Sequence, residues 1–215
     1  MHLAIAGNIG AGKTTLARKL AEHFQWEACF ESVEDNPYLA DFYADMPRWA
    51  FHLQIYFLNN RFNQVLKVRQ NHQSTVQDRT IYEDAHVFAL NLRDSGLMTQ
   101  RDYDNYRQVY DSMTRFITPP DLLIYLRADL PKLKSQIYKR GHSFESAIPD
   151  EYLINLNQHY ENWIADYTHG KLLIVDMNDR DFVHQKSDWN FLLTAVEKSL
   201  GNYTHTELIC ENQMS

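Results

Sequence analysis

The sequence predicts an α/β protein: five parallel strands in one sheet, covered by helices on both faces to make three layers. Three observations predict it. Short β-prone runs alternate with longer segments of helical periodicity along the 215 residues. The first apolar run leads straight into a glycine-rich turn, Gly7 to Gly12, followed by Lys13-Thr14. No Pro/Gly/Ser-rich linker, repeat or low-complexity segment divides the chain, so residues 1–200 read as one domain and residues 201–215 as a polar tail.

Each element has its own justification. His2–Ala6 (HLAIA) is an apolar run closed by Gly7, the pattern of a buried strand. Lys13–Phe24 sets Leu16, Ala17, Leu20, Ala21 and Phe24 at helical spacing. Glu27–Glu31 is the second strand. Trp49 to about Asn71 is a long helix whose start is apolar nearly all round (Phe51, Leu53, Ile55, Tyr56, Phe57, Leu58). That pattern predicts burial on more than one side and offers a surface for a second copy of the chain. Ser74–Asp78 is a short third strand. Tyr82–Leu92 and Asp102–Ile117 are helical, and Pro119-Pro120 stops the second. Leu122–Leu126 and Leu172–Val175 are apolar strands. Pro131–Arg140, Asp150–Tyr167 and Phe182–Leu200 complete the helices.

Composition narrows the function classes. Twenty-one Lys and Arg against 28 Asp and Glu give a net charge of −7, which argues against broad binding of a nucleic-acid polymer. A local anion site remains open, because helix N-termini and a few cations can hold phosphate. The opening Met-His-Leu-Ala-Ile-Ala-Gly lacks the basic start and apolar length of a signal peptide. No stretch approaches the roughly 20 apolar residues of a membrane span. Cys29 and Cys210 have neither disulfide-framework nor metal spacing, so the expected compartment is the cytoplasm.

Gly7-Asn8-Ile9-Gly10-Ala11-Gly12-Lys13-Thr14 fits G-x-x-x-x-G-K-[ST] at every fixed position, between a strand and an amphipathic helix. This predicts the P-loop NTPase version of the three-layer fold. Glycines let the backbone wrap closely enough for successive N–H groups to face phosphate oxygens. The expectation is a nucleoside triphosphate held by residues Gly7 to Thr15, with Lys13 on the outer phosphates and Thr14 on Mg²⁺. Two more charged features fall at the C-terminal ends of strands, where open parallel sheets bind ligands. Glu31 ends the second strand and suits a general base; Glu34 and Asp35 compete for that role but stand where the next helix is capped. Asp78-Arg79 ends the third strand, with a carboxylate suited to taking a hydroxyl proton or to holding Mg²⁺ through water, and Arg79 suited to orienting an oxygen or neutralising phosphoryl charge. Residues 139–147, starting Lys139-Arg140-Gly141-His142, suit a lid over phosphates as well as an ordinary helix C-terminus.

This ordered set resembles the deoxynucleoside kinases of the deoxycytidine/deoxyguanosine kinase type, bacterial deoxyadenosine kinases in particular, from Met1 to about Leu200. The resemblance rests on GNIGAGKTT, on Glu31 with Val33-Glu34-Asp35-Asn36-Pro37-Tyr38, on Arg48-Trp49 with Phe51-His52-Leu53-Gln54, on Asp78-Arg79-Thr80, and on Lys139-Arg140-Gly141 with Glu145. It implies ATP-dependent phosphorylation of a deoxynucleoside 5′-hydroxyl in nucleotide salvage, usually by a homodimer. It further implies Glu31 as the base, Arg79 holding the 5′-hydroxyl, Asp78 as the acidic residue near Mg²⁺, Tyr43 and Glu145 on the sugar 3′-hydroxyl, and Gln54 on the base edge. Arg61 and Asp84 become a charged pair in the base pocket, and Arg140 a lid arginine. His142 stands where many relatives carry a second lid arginine. A nucleoside-monophosphate kinase and a non-catalytic NTP-binding switch are the rival readings; the first needs cations for an acceptor phosphate, and the guanine-reading N-K-x-D motif of GTPase switches is absent.

Overall fold

In a computed structural model, which describes residues 1–30, 36–71, 73–141, 148–201 and 207–209, the strand runs assemble into one parallel sheet. Its strands are β1 (His2–Gly7), β2 (Glu27–Cys29), β3 (Thr75–Asp78), β4 (Leu122–Arg127), β5 (Lys171–Asp176) and β6 (Glu207–Ile209), in the order β2-β3-β1-β4-β5-β6. The five predicted strands are all present. The sixth is a correction: it lies within the segment expected to be a loose tail and pairs Ile174 with Leu208 at the sheet edge. Three residues are too few to show a period.

The alternation of strand side chains builds two cores. Ala4 and Ala6 of β1, Leu123 and Tyr125 of β4, and Leu172 and Ile174 of β5 point to one face. Leu3, Ile5, Leu122, Ile124, Leu126, Leu173 and Val175 point to the other, under α1 (Lys13–Phe24) and α9 (Lys186–Leu200). Because both faces are covered, the strands read as continuous apolar runs.

The first face carries α3 (Met46–Asn71), α6 (Gln100–Thr114), α8 (Asp150–Ala165) and a rod built from α4 (Ile81–Glu83), a π-helical stretch (Asp84–Phe88) and α5 (Ala89–Asp94). The helix α7 (Leu130–Arg140) precedes α8. A short helix, α2 (Leu39–Ala44), precedes α3 and was not expected; six residues carry little periodicity. The apolar start of α3 packs on this chain's own core and is only partly buried at several positions. Ala50, Leu53 and Leu58 are buried, and Trp49, Phe51, Ile55 and Phe57 pack against the same core.

The topology places the site. From β1 the chain passes to the outer β2, returns to β3 beside β1, and then crosses to β4 and β5 on the other side. The order reverses at β1, so a crevice opens beyond the C-terminal end of β1, between β3 and β4. The glycine-rich turn, Asp78 and Arg79 all leave their strands there.

Candidate active site

The phosphate loop takes the backbone its glycines predict. Gly10 has φ +85°, a left-handed conformation, and a Cβ there would stand 2.7 Å from the Leu133 carbonyl oxygen. No other residue fits that position without displacing backbone. Lys13 is buried, and its Nζ donates to the Asn8 carbonyl oxygen at 2.8 Å. Asn8 pins the loop from outside: its Oδ1 accepts from the Ile9 N–H at 2.7 Å, while its Nδ2 donates to the Leu153 carbonyl at 2.9 Å and to Asn157 Oδ1 at 2.6 Å on α8.

The register of β3 on β1 sets Asp78 opposite Ile5, and the Arg79 N–H extends the ladder to the Ile5 carbonyl at 2.9 Å. Asp78 thus faces the start of α1, where Thr14 Oγ1 donates to Asp78 Oδ2 at 2.5 Å. The two residues expected at a metal are brought together. Arg79 is left-handed, with φ +68°, at a cost of about 1–3 kcal/mol for a non-glycine residue. This turn directs its guanidinium back over the loop. Nη1 donates to Tyr160 Oη at 3.0 Å and to the Gly7 carbonyl and Glu83 Oε1 at 3.4 Å each, and the guanidinium carbon lies 4.6 Å from the Phe88 ring centre.

Glu83 was missed by the sequence reading. It is fully buried and forms a capping box with Thr80: Thr80 Oγ1 accepts from the Glu83 N–H, and Glu83 Oε2 accepts from the Thr80 N–H at 2.7 Å. Thr80-Ile81-Tyr82-Glu83 is the T-x-x-E pattern, so the signal was present. Tyr160, Asn157 and the cavity-lining Phe57, Phe88 and Tyr152 were missed too; at helical spacing they look like ordinary core residues.

A cavity runs from the phosphate loop along α3. It is lined by Lys13, Thr14, Asp78, Arg79 and Arg140, by Gln54, Arg61 and Asp84, and by the rings and side chains of Tyr43, Leu53, Phe57, Phe88 and Tyr152. Arg61 Nη1 donates to the Asp78 carbonyl oxygen at 3.4 Å, which ties the Arg61–Asp84 pair to the end of β3. Arg61 and Asp84 are both about 2 % exposed, with Arg61 Nε 2.8 and 3.1 Å from the two carboxylate oxygens. The pair expected from the resemblance is therefore formed. Gln54 is also buried, and its Oε1 has no hydrogen-bond partner among the described residues. Burial pushes the Tyr152 phenol up to about 12, so this wall is neutral at physiological pH. Glu31, Glu34, Asp35, His142 and Glu145 lie outside the described residues, as does most of the expected lid.

A profile described as deoxynucleoside kinase matches residues 3–201. The chain belongs to the deoxynucleoside kinase family and is a kinase. Among its relatives, the deoxyadenosine/deoxycytidine kinase of Bacillus subtilis is 37 % identical over 187 residues, 86 % of each chain. The deoxyadenosine kinase of Dictyostelium discoideum is 41 % identical over 182 residues, 85 % of this chain and 74 % of that one. Among solved structures, the deoxyadenosine kinase from M. mycoides with products dCMP and a flexible dCDP bound has a TM-score of 0.82 at 32 % identity, covering 92 % of this chain and 100 % of that one. The same enzyme with bound dATP has a TM-score of 0.81.

Proposed function

We propose that this kinase transfers the outer phosphoryl group of ATP to the 5′-hydroxyl of purine deoxynucleosides, deoxyadenosine first, with Mg²⁺, as a cytoplasmic homodimer of nucleotide salvage. One observation carries the substrate reading: a single cavity is lined both by the phosphate loop with its cations and by the buried, hydrogen-bonding Gln54, Arg61 and Asp84. The apolar faces of Phe57 and Phe88, which line the same cavity, suit a flat base. A phosphorylated acceptor would need cations beyond those on the ATP phosphates, and the rest of the lining offers Tyr43, Leu53 and Gln54, with Arg61 already paired to Asp84. The homodimer and the compartment follow from the family resemblance and the cysteine usage. Among the described residues no helix is long and apolar enough to cross a membrane.

The residues fit Mg²⁺. Asp78 Oδ1 is buried with no hydrogen-bond partner among the described residues, beside the Thr14 hydroxyl on its sister oxygen. Mg²⁺ takes hard oxygen ligands and few of them from protein. Thr14 and Asp78 would hold it, and bound there it would neutralise charge on the outer phosphates.

In the reaction, Glu31 accepts the proton of the 5′-hydroxyl as that oxygen attacks. Support for its position comes from β2, which ends at Cys29 paired with Gln77, so the chain leaves the strand beside Asp78 and Arg79. Arg79 orients the attacking oxygen, and Lys13 and Arg140 bear the charge of the transferring group. Tyr43 and Glu145 hold the sugar 3′-hydroxyl. Most of the rate enhancement is positioning and charge neutralisation. The test is product analysis after incubation with ATP, Mg²⁺ and deoxyadenosine. The proposal expects deoxyadenosine 5′-monophosphate and ADP in equal amounts, and EDTA should stop the reaction; ATP hydrolysis without a phosphorylated nucleoside would overturn it.

A further inference from the structure

We propose that Tyr160 is a positioning residue for phosphoryl transfer: its phenol oxygen sets the Arg79 guanidinium and the first residue of the phosphate loop against one another. This rests on the reading of Arg79 as the group that orients the acceptor oxygen.

Tyr160 is fully buried, and its ring is fixed by stacking on Tyr125, with centroids 5.6 Å apart and planes at 18°. Its Oη lies 2.8 Å from the Gly7 carbonyl oxygen, 2.7 Å from Glu83 Oε1 and 3.0 Å from Arg79 Nη1. A phenol has one proton and two lone pairs. It therefore donates to one of the two acceptors and receives from Arg79. Burial and the Glu83 carboxylate hold the phenol well above its usual range, so it keeps its proton. Of the three acceptors named for Arg79 Nη1, Tyr160 Oη is the nearest, at 3.0 Å against 3.4 Å for Gly7 and Glu83.

The helix makes this a shared frame. Leu153, Asn157 and Tyr160 stand at i, i+4 and i+7, one face of α8. Leu153 and Asn157 hold Asn8, and Tyr160 accepts from Arg79 with its phenol oxygen 2.8 Å from the Gly7 carbonyl oxygen. One rigid element thus fixes the donor-side loop and the acceptor-side arginine together. Transfer requires both, because the reacting oxygen and phosphorus must meet in line.

The test is a double-mutant cycle read in kcat and KM. Tyr160→Phe keeps the ring and removes only the oxygen. The proposal expects kcat to fall about tenfold, the loss of one strong hydrogen bond, with both KM values within about threefold of the parent. In an Arg79→Ala background the same change should cost less than about twofold, because the group being positioned is gone. Arg79→Lys is the second background where Ala compromises the fold, with circular dichroism checking each variant. Asn157→Ala is the control; it touches the loop and not Arg79, so its cost should be the same in both backgrounds. An unchanged kcat in Tyr160→Phe, an equal cost in both Arg79 backgrounds, or a control whose cost also disappears would overturn the proposal. Full activity in Arg79→Ala would remove the reading of Arg79 and the proposal with it; a crippled Arg79→Ala with background-independent costs removes the proposal alone.

Discussion

Glu31 and the Arg61–Asp84 pair carry the sharpest consequences for single side chains. Replacing Glu31 with Gln removes the proton acceptor and preserves size, so kcat should fall by about 10²–10⁴. ATP affinity should survive, since the phosphate loop is a separate structure; equilibrium binding of a labelled ATP analogue checks this. A near-normal kcat would move the base role to Glu34. Removing Arg61 alone leaves a carboxylate about 2 % exposed without its partner, which costs about 3–5 kcal/mol and should appear as a large drop in melting temperature. Removing both charges together, Arg61→Met with Asp84→Ala, spares that penalty. The double variant should lose activity on purine deoxynucleosides and gain on thymidine, whose methyl group prefers an apolar wall. Relative kcat/KM values decide it. Of these residues, Arg61 and Asp84 were legible only through the family resemblance, since 23 positions of chain separate them and nothing local pairs them.

The rod from Ile81 to Asp94 shows what elements add. Sequence periodicity predicts a helix there, and the helix exists, but its π-helical middle has no local signal. That stretch begins at Asp84 and ends at Phe88, both lining the cavity, which fits the association of π turns with functional sites. It also carries His86, which stacks on Trp163 with planes at 10° and lies edge-on to Tyr110. Burial, then the charges of Arg107 and His169, lower the His86 pKa from 6.5 to about 4, against a weaker opposing pull from Asp111. The unfolded chain therefore takes up a proton at this residue below pH 6.5 that the folded chain refuses until about pH 4. Stability is complete above 6.5 and falls as pH drops through that window, by on the order of 2–3 kcal/mol at its foot. His86→Gln should flatten this dependence. Between pH 7 and 5.5 the parent should lose a few degrees more of melting temperature than the variant, roughly what 1 kcal/mol is worth in a chain this size. Parallel curves for the two proteins would show that His86 does not titrate this way. Asp78 belongs to the same scale, because strand register delivers it to Thr14. Asp78→Asn should leave nucleoside binding intact and raise the Mg²⁺ concentration needed for half-maximal activity by about tenfold or more, read from a Mg²⁺ titration.

Across the whole molecule, the fold was legible because it rests on repeated signals. Apolar runs such as Leu122–Leu126 and the amphipathic spacing of Lys13–Phe24 each declare their own state, and the parallel sheet follows from their alternation. The phosphate loop was legible because its fixed positions, Gly7, Gly12, Lys13 and Thr14, lie together in one short stretch between a strand and a helix. What escaped was assembled from far apart in the chain. Tyr160 meets Gly7 across 153 positions, and Asn8 meets Asn157 across 149. Short pieces without a period, α2 and β6, escaped for want of length. On the proposed reading, one cavity takes phosphates at Lys13 and Arg79 and a purine at Gln54, Arg61 and Asp84. The measurement that tests it most directly is kcat/KM for deoxyadenosine, deoxyguanosine, deoxycytidine and thymidine with ATP and Mg²⁺ under one set of conditions. The account predicts deoxyadenosine at the top and thymidine at the bottom; thymidine phosphorylated more efficiently than deoxyadenosine would contradict it.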